Sequence, residues 1–213
     1  MYSHDETVEA LSSYLKLLDR VHSGPECLQF PPQGGWPQIT KSGFACLGIT
    51  DETLELLRHV PQWETRCLDF MPRLSLDSYI DPRLVAAWNE NSERLRGGEE
   101  NVPTSRVPPR LVLLGSNQEA EEYYYKVYID TKHGAVLMEQ NAGNIWPELG
   151  IPQCKDEVKR DADVLPGPDP WGPDEMEYAY YRIQPFFAAC EQKAALARVV
   201  PGLRGPQRLS VGG

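Results

Sequence analysis

The 213-residue sequence has no apolar run that approaches the roughly 20 residues needed to cross a bilayer. Its first residues also lack the basic and apolar regions of a signal peptide. Histidine is scarce, and none of the four histidines has the spacing of a zinc or iron ligand set. We therefore expect no membrane span, no metal site, and a cytoplasmic or nuclear location.

Signature motifs of catalysis are missing as well. The sequence contains no GxGxxG, GxxxxGK[ST], GxSxG or HExxH, so nucleotide, phosphate, serine-hydrolase and zincin chemistries lack their parts. The five cysteines are odd in number and irregularly spaced, which fits neither a disulfide framework nor a CxxC zinc arrangement. No cofactor is expected from these patterns.

The charge is one-sided, with 31 Asp and Glu against 21 Lys and Arg and a formal net charge of −10. A nucleic-acid partner needs a basic face whose Lys and Arg displace the counterions of the phosphate backbone. Nucleic acid is therefore not expected as a partner. An acidic surface favours either water alone or a basic protein partner.

Three β-segments predict a small antiparallel sheet. They are the apolar run 111–114, the alternating run 123–130 and the run 135–140, with the glycine of Asp130–Thr131–Lys132–His133–Gly134 closing a hairpin. The side of the second segment that carries Val127 and Ile129 is expected to face the core. The forty residues after 140, with a proline-rich tract at 165–173, are predicted to be loop.

Apolar residues at helical spacing predict helices over about 5–22, 51–60, 81–97 and 183–197. The last helix collects Ile183, Phe186, Phe187 and Cys190 on one face and is expected to lie on the sheet. The predicted class is α+β: a small bent antiparallel sheet covered by helices. We expect one domain over 1–200 with long Pro/Gly-rich loops, and a flexible tail over 201–213.

His59, Asp130 and Glu139 are the candidate catalytic residues. His59 lies on an otherwise apolar helical segment, either as a hydrogen-bonded structural histidine or as a general acid/base. Asp130 and Glu139 flank the hairpin, and one reading is that strand pairing brings them close, in the geometry that raises the pKa of one carboxyl. Exposed charges at strand ends give the same sequence pattern.

Aromatic residues are the candidates for binding, because most lie in or beside irregular segments, where they either pin loops or line a pocket. The candidates are Trp36, Trp63, Trp88, Trp146, Tyr124 and Tyr128. Two functions stay open. One is a protein-interaction module without catalysis. The other is a small-molecule binder or cofactor-independent enzyme that acts on an apolar compound by acid/base chemistry in an aromatic-lined pocket.

The order of short motifs supplies a further expectation. Gly-Trp-Pro-Gln-Ile-Thr occupies 35–40, Gly-Ile-Thr-Asp-Glu 48–52 and Leu-Leu-Arg-His-Val-Pro 56–61; a hairpin with an aspartate and a turn glycine, and a helix with Phe186 and Phe187, follow. This order resembles a fungal branch of the SUKH superfamily, the fold of fungal cell-wall-synthesis regulators and bacterial toxin-immunity proteins.

The resemblance spans roughly residues 30–200 and implies one α+β domain that acts by binding other proteins, in a regulatory role. It implies no catalysis and carries no ligand set. Within the matched segments, the resemblance points, mostly as architectural positions, to Trp36, Asp51, Arg58, His59, Asp130 and Gly134.

Overall fold

The structure, a computed structural model, describes residues 2–22, 28–63, 69–71, 74–76, 78–80, 108–116, 125–141, 149–154 and 176–199. The predicted helix over 81–97 and the predicted tail over 201–213 lie outside the described residues. So do three of the candidate binding residues, Trp88, Trp146 and Tyr124.

Three helices are confirmed: α1 (His4–His22), α2 (Asp51–His59) and α3 (Ile183–Val199). Thr50 caps α2, because its side-chain oxygen accepts the backbone N–H of Thr53, as expected of an N-cap threonine. A short 3₁₀ turn, Ala45–Leu47, precedes it. None of the helices within the described ranges is long and apolar enough to cross a membrane.

Within the described residues, six strands form one antiparallel sheet in chain order. They are β3 (Asp69–Met71), β4 (Leu74–Leu76), β5 (Leu111–Ser116), β6 (Tyr125–Asp130), β7 (Ala135–Asn141) and β8 (Met176–Arg182). Two short strands, β1 (Leu28–Gln29) and β2 (Gln62–Trp63), pair with each other. The α+β class predicted from the sequence is confirmed.

Strand β8 corrects the prediction that the region after residue 140 is loop. It pairs with β7 from Arg182 opposite Ala135 to Met176 opposite Asn141, so the sheet extends beyond the three predicted segments. α3 begins at the residue after β8, which turns its apolar side back onto the sheet.

One side of the sheet, the front face, packs against the helices. It consists of Val127, Ile129, Val136, Met138, Ala179 and Tyr181. These side chains form one apolar cluster with Leu11 and Leu15 of α1, Leu56 of α2 and Phe186 and Phe187 of α3. The prediction that the last helix packs on the sheet is therefore confirmed.

The other side of the same strands, the back face, is buried as well. The sequence predicted the core only on the Val127 side, but Tyr128 is 1% exposed and Asp130 is 0% exposed. The alternation of apolar and polar residues is typical of a strand with one solvent-exposed face, so only the Val127 side was placed in the core. Here the second side buries its polar residues instead of solvating them.

The loop after β1 is pinned to the end of α2. Trp36 is buried, and its Nε1 donates a 2.9 Å hydrogen bond to the carbonyl of Val60. Gly35 has a φ of +86°, and a Cβ there would lie 2.9 Å from the carbonyl oxygen of Arg58. Only glycine fits that close approach without strain.

Candidate functional site

The back face holds the buried charged side chains of the part of the chain that the structure describes. Strand register places them in three rows across β6, β7 and β8. The rows are Lys126, Glu139 and Tyr178; then Tyr128, Leu137 and Tyr180; then Asp130, Ala135 and Arg182. Ionisable side chains therefore border a tyrosine-rich middle row.

The first row opposes two buried charges. Lys126 and Glu139 are direct cross-strand partners and are 6% and 8% exposed. The hydroxyl of Tyr128 donates a 3.2 Å hydrogen bond to Glu139 Oε2. Buried charges are tolerated when they are paired and hydrogen-bonded, and opposite charges on neighbouring strands meet that condition.

Asp130 is the centre of the third row. Its Oδ1 accepts the backbone N–H groups of Lys132 and His133, each at 3.0 Å. Its Oδ2 accepts His133 Nδ1 at 2.8 Å and Arg110 Nε at 3.3 Å. Both carboxylate oxygens are thus engaged, and they fix both the turn and the orientation of the imidazole.

The hairpin turn is tied to the start of α2. Thr131 Oγ1 donates to the carbonyl of Arg110 at 3.1 Å and lies 3.1 Å from Thr53 Oγ1. Gly134 has a φ of +61° and donates its N–H to the carbonyl of Asp130. The predicted turn glycine is in place, and Asp130 locks the turn that it begins.

The expected meeting of Asp130 and Glu139 does not occur. Asp130 pairs with Ala135, whereas Glu139 pairs with Lys126, four residues away along β6. At a strand rise of about 3.3 Å per residue, their Cα atoms are roughly 13 Å apart on one face. The reading as a carboxyl pair is wrong, because the turn fixes the register so that Asp130 closes it. The alternative, exposed charges at strand ends, is wrong as well, because both side chains are buried.

His59 lies at the end of α2 and is not joined to either carboxylate by any contact among the described residues. Its Nδ1 donates to the backbone carbonyl of Glu55 at 3.0 Å, and its side chain is 27% exposed. Its ring meets that of His4 edge to face, with centroids 5.3 Å apart. The three candidate catalytic residues therefore do not form one site.

Two of the three candidate binding residues within the described ranges, Trp36 and Tyr128, have buried side chains. Trp36 pins the loop, and Tyr128 is covered and bonded to Glu139. Trp63 lies in β2, and its side chain is outside the description. An apolar crevice beside Tyr128, bordered by Tyr79, Pro108 and Leu113, holds space for about one water molecule.

Protonation on the back face follows from burial. Burial raises the pKa of Tyr180 above its ordinary value, and the negative charge of Asp130 adds to the effect while Arg110 opposes it. Tyr180 therefore keeps its proton at neutral pH. Burial likewise raises the pKa of the nearby Cys154 thiol, which disfavours a reactive thiolate.

Sequence reasoning missed Arg110, Tyr178 and Tyr180 as parts of this face. Arg110 was overlooked because it precedes β5 by one residue and reaches Asp130 only through the fold. The tyrosines carried a usable signal, since the aromatic run 178–181 has strong strand propensity. The strand was missed because the prolines and glycines before this run indicated a loop.

A second feature lies on the helical side of the molecule. Six exposed carboxylates, which we call the acidic surface, occupy the first turns of α1 and the length of α2: Asp5, Glu6, Glu9, Asp51, Glu52 and Glu55. Basic side chains contact three of them: Lys41 contacts Asp51 (2.6 Å), Arg58 contacts Glu55 (3.2 Å) and the His4 ring contacts Asp5 (2.9 Å).

Tyr2 lies close to one carboxylate of each helix. Burial, together with the nearby carboxylates of Glu52 and Asp5, one from each helix, raises its pKa to about 12. Its hydroxyl is buried and has no hydrogen-bond partner among the residues that the structure describes. His4 completes the joint, with Nε2 3.4 Å from the carbonyl oxygen of Glu55.

Across the part of the chain that the structure describes, no three His, Cys, Asp or Glu side chains are placed to hold a metal ion. Comparison with protein-family models, with curated proteins and with solved structures found no match.

Proposed function

We propose that the chain is a non-enzymatic module that binds a protein partner, and that the acidic surface is its contact with basic side chains of that partner. The observation that carries the proposal is the convergence of carboxylates from α1 and α2 around Tyr2 and His4. Charged surfaces of one sign steer and orient partners of the opposite sign.

The engagement of the buried groups supports the same proposal. Both carboxylate oxygens of Asp130 accept hydrogen bonds from the turn or from Arg110. Glu139 accepts a hydrogen bond from Tyr128, so these bonds stabilise the fold. The acidic surface, in contrast, faces solvent. The resemblance to the SUKH superfamily agrees with a binding role and stays a proposal.

The test is affinity capture from cell extract with three full-length proteins. The surface variant carries E6K, E9K and E52K. The control carries E99K, E100K and E121K, an equal change of charge outside the described residues. We expect a protein captured by the native chain and the control, lost on the surface variant, and weakened as salt rises, since salt screens exposed charges.

Equal loss on both variants would assign the binding to net charge and remove the acidic surface from the proposal. Equal retention on all three would remove it as well. Both variants are checked by circular dichroism, so that misfolding is not read as loss of binding.

The alternative, a small-molecule binder or acid/base enzyme, is favoured by one observation. Lys126, Glu139 and Asp130 are buried beside Tyr128 and Tyr180, and burial raises the pKa of Tyr180; enzymes often arrange acid/base chemistry where ionisable groups are buried together. Native mass spectrometry of the purified protein tests it. A retained organic compound that is released by Y128F would favour this second function.

A further inference from the structure

One side of α1 is exposed along most of its length. Its members recur every three or four residues, so they form one line along the helix: Glu6, Glu9, Ser13, Lys16 and Arg20. The opposite side, with Leu11, Leu15 and Leu18, packs in the apolar cluster on the front face. We call the exposed line the α1 stripe. Its charges change sign once, from two acids before Ser13 to two bases after it.

The helix dipole accounts for only part of this order. A helix favours acids in its first turn and bases in its last turn, and the effect falls off beyond those turns. Glu6 and Arg20 lie in the first and last turns of α1, which spans His4–His22. Glu9 lies in the second turn, and Lys16 lies more than one turn before the end. The dipole therefore does not account for the inner pair.

Within the residues that the structure describes, none of the four stripe charges forms an ion pair. Side chains three or four residues apart on a helix are neighbours, so Glu6 adjoins Glu9 and Lys16 adjoins Arg20. Both neighbouring pairs carry like charges, which destabilises a helix slightly. Glu9 and Lys16 have opposite charges but are about 10 Å apart along the helix axis, too far to pair.

A second copy of the chain carries the complementary pattern. When two α1 helices lie antiparallel with Ser13 facing Ser13, Glu6 of each copy comes opposite Arg20 of the other, because both lie seven residues from Ser13. Glu9 comes close to Lys16 for the same reason, at four and three residues from Ser13. A two-fold axis repeats each pair, so four contacts between opposite charges form. The small side chain of Ser13 at the centre lets the two helices approach each other.

An exposed aromatic ring lies beside the α1 stripe. Phe30 is 48% exposed and is the one large hydrophobic side chain that is exposed among the described residues. Lys16 Nζ lies 5.0 Å from the centroid of its ring. Contacts between exposed charges give orientation more than affinity. Phe30 therefore supplies the apolar area that a docked second copy would remove from water.

From these observations we propose that the α1 stripe is a self-recognition surface, on which a second copy of the chain docks with its α1 antiparallel. The proposal goes beyond the binding of a basic partner, because the second copy contributes both acids and bases. It shares Glu6 and Glu9 with the acidic surface but does not involve α2, and it stands whether or not another protein is captured. The contact is one helix long, so the dimer belongs to the weak, transient class.

Sedimentation velocity of the full-length protein tests the proposal. The native chain should shift from monomer toward dimer between about 10 and 500 µM in about 0.05 M salt. About 0.5 M salt should weaken the association at least about tenfold, since salt screens exposed charges. E6K/E9K and K16E/R20E each give the stripe four charges of one sign, so each should stay monomeric. An equimolar mixture of the two should form a heterodimer, because one stripe is then positive and the other negative.

Two matched controls change the net charge equally at other places. E99K/E100K and K155E/K159E lie outside the described residues and should associate like the native chain. Circular dichroism checks that every variant is folded. The proposal is overturned by a native chain that stays monomeric, by stripe variants that associate like the native chain, by controls that lose association, or by a mixture of folded stripe variants that stays monomeric.

Cysteine cross-linking tests the geometry without changing any charge. Ser13 faces its own copy in the proposed dimer, so S13C should form an interchain disulfide under mild oxidation. Q184C, at an exposed position of α3, is the matched control and should give no more covalent dimer than the native chain. Equal cross-linking of S13C and Q184C would overturn the antiparallel arrangement.

K16E/R20E also separates self-recognition from the capture of another protein, because it leaves all six carboxylates of the acidic surface unchanged. We expect this variant to lose self-association and to keep the captured protein. Self-association of a native chain that captures nothing would overturn the proposed function alone. Capture by a native chain that stays monomeric would overturn self-recognition alone.

Discussion

The two faces of the sheet alternate residue by residue along the same three strands, yet they are filled with different chemistry. The front face presents Val127, Ile129 and Met138 to the helices, and the back face presents Lys126, Asp130 and Glu139. Apolar burial is non-directional, whereas the back-face bonds hold only for one set of partners. A slip of one residue would carry three charges into the apolar layer, so we infer that the back face fixes the register.

The largest expected effect comes from breaking the helical layer that packs on the front face. F187A removes a ring that is 1% exposed and packs on Tyr14 and Phe186. We expect a loss of about 4 kcal/mol in the free energy of unfolding, equal at pH 5.5 and 7.5, because the lost burial involves no charge. Urea unfolding measures it. Q184A, at an exposed position of α3, is the control; a loss below about 1.5 kcal/mol for F187A would contradict this account of the front face.

Breaking the back face should cost somewhat less. D130A leaves Arg110 and two backbone N–H groups without their acceptor, and we expect a loss of about 3 kcal/mol. A double-mutant cycle with R110A by urea unfolding measures the coupling. The control is D51A, whose ion pair with Lys41 is more than 70% exposed and is worth about 1 kcal/mol or less. Equal costs for the two variants would remove Asp130 from the centre of this face.

The loss of stability at alkaline pH allows a comparison of buried tyrosines on the two sides of the sheet. Burial raises the pKa of Tyr14, next to α3, and of Tyr180, on the back face. Each stays protonated in the folded chain while the unfolded chain ionises, so stability is full below about pH 10 and falls above it. Y14F and Y180F should each remove about 0.8 kcal/mol of that fall between pH 9 and 10.5, because the slope approaches about 1.4 kcal/mol per pH unit only well above pH 10. Unfolding at pH 9 to 10.5 measures the slope; an unchanged slope in both variants would contradict the buried, protonated state.

The smallest expected change in stability comes from removing single tyrosine hydroxyls. Y128F removes the buried hydrogen bond to Glu139 and should cost about 1 kcal/mol, because the acceptor is a buried charge. Y181F, on the front face, removes a hydroxyl that bonds to the exposed Gln153 and should cost less than about 0.5 kcal/mol. The same urea titrations rank the two, and the reverse order would sink the contrast between the faces.

The helices and the hairpin could be predicted from the sequence because their signals are local. Thr50 before two acids and the 3.6-residue period of the last helix are read from neighbouring residues alone. The back face could not be predicted that way. Its burial, the reach of Arg110 to Asp130 and the pairing of Lys126 with Glu139 depend on register between strands. The alternation in β6 is typical of a strand with one solvent-exposed side, but tertiary packing buries both sides.

The central claim is that the polar back face holds the fold while recognition takes place on the acidic surface. Its most direct test is partner capture by Y128F and by the E6K/E9K/E52K variant side by side, each confirmed as folded. The account predicts that Y128F keeps the captured protein at the native level and that the surface variant loses it at least about tenfold, since several charge contacts are lost together. Loss on Y128F with retention on the surface variant would contradict the claim and move the function to the back face.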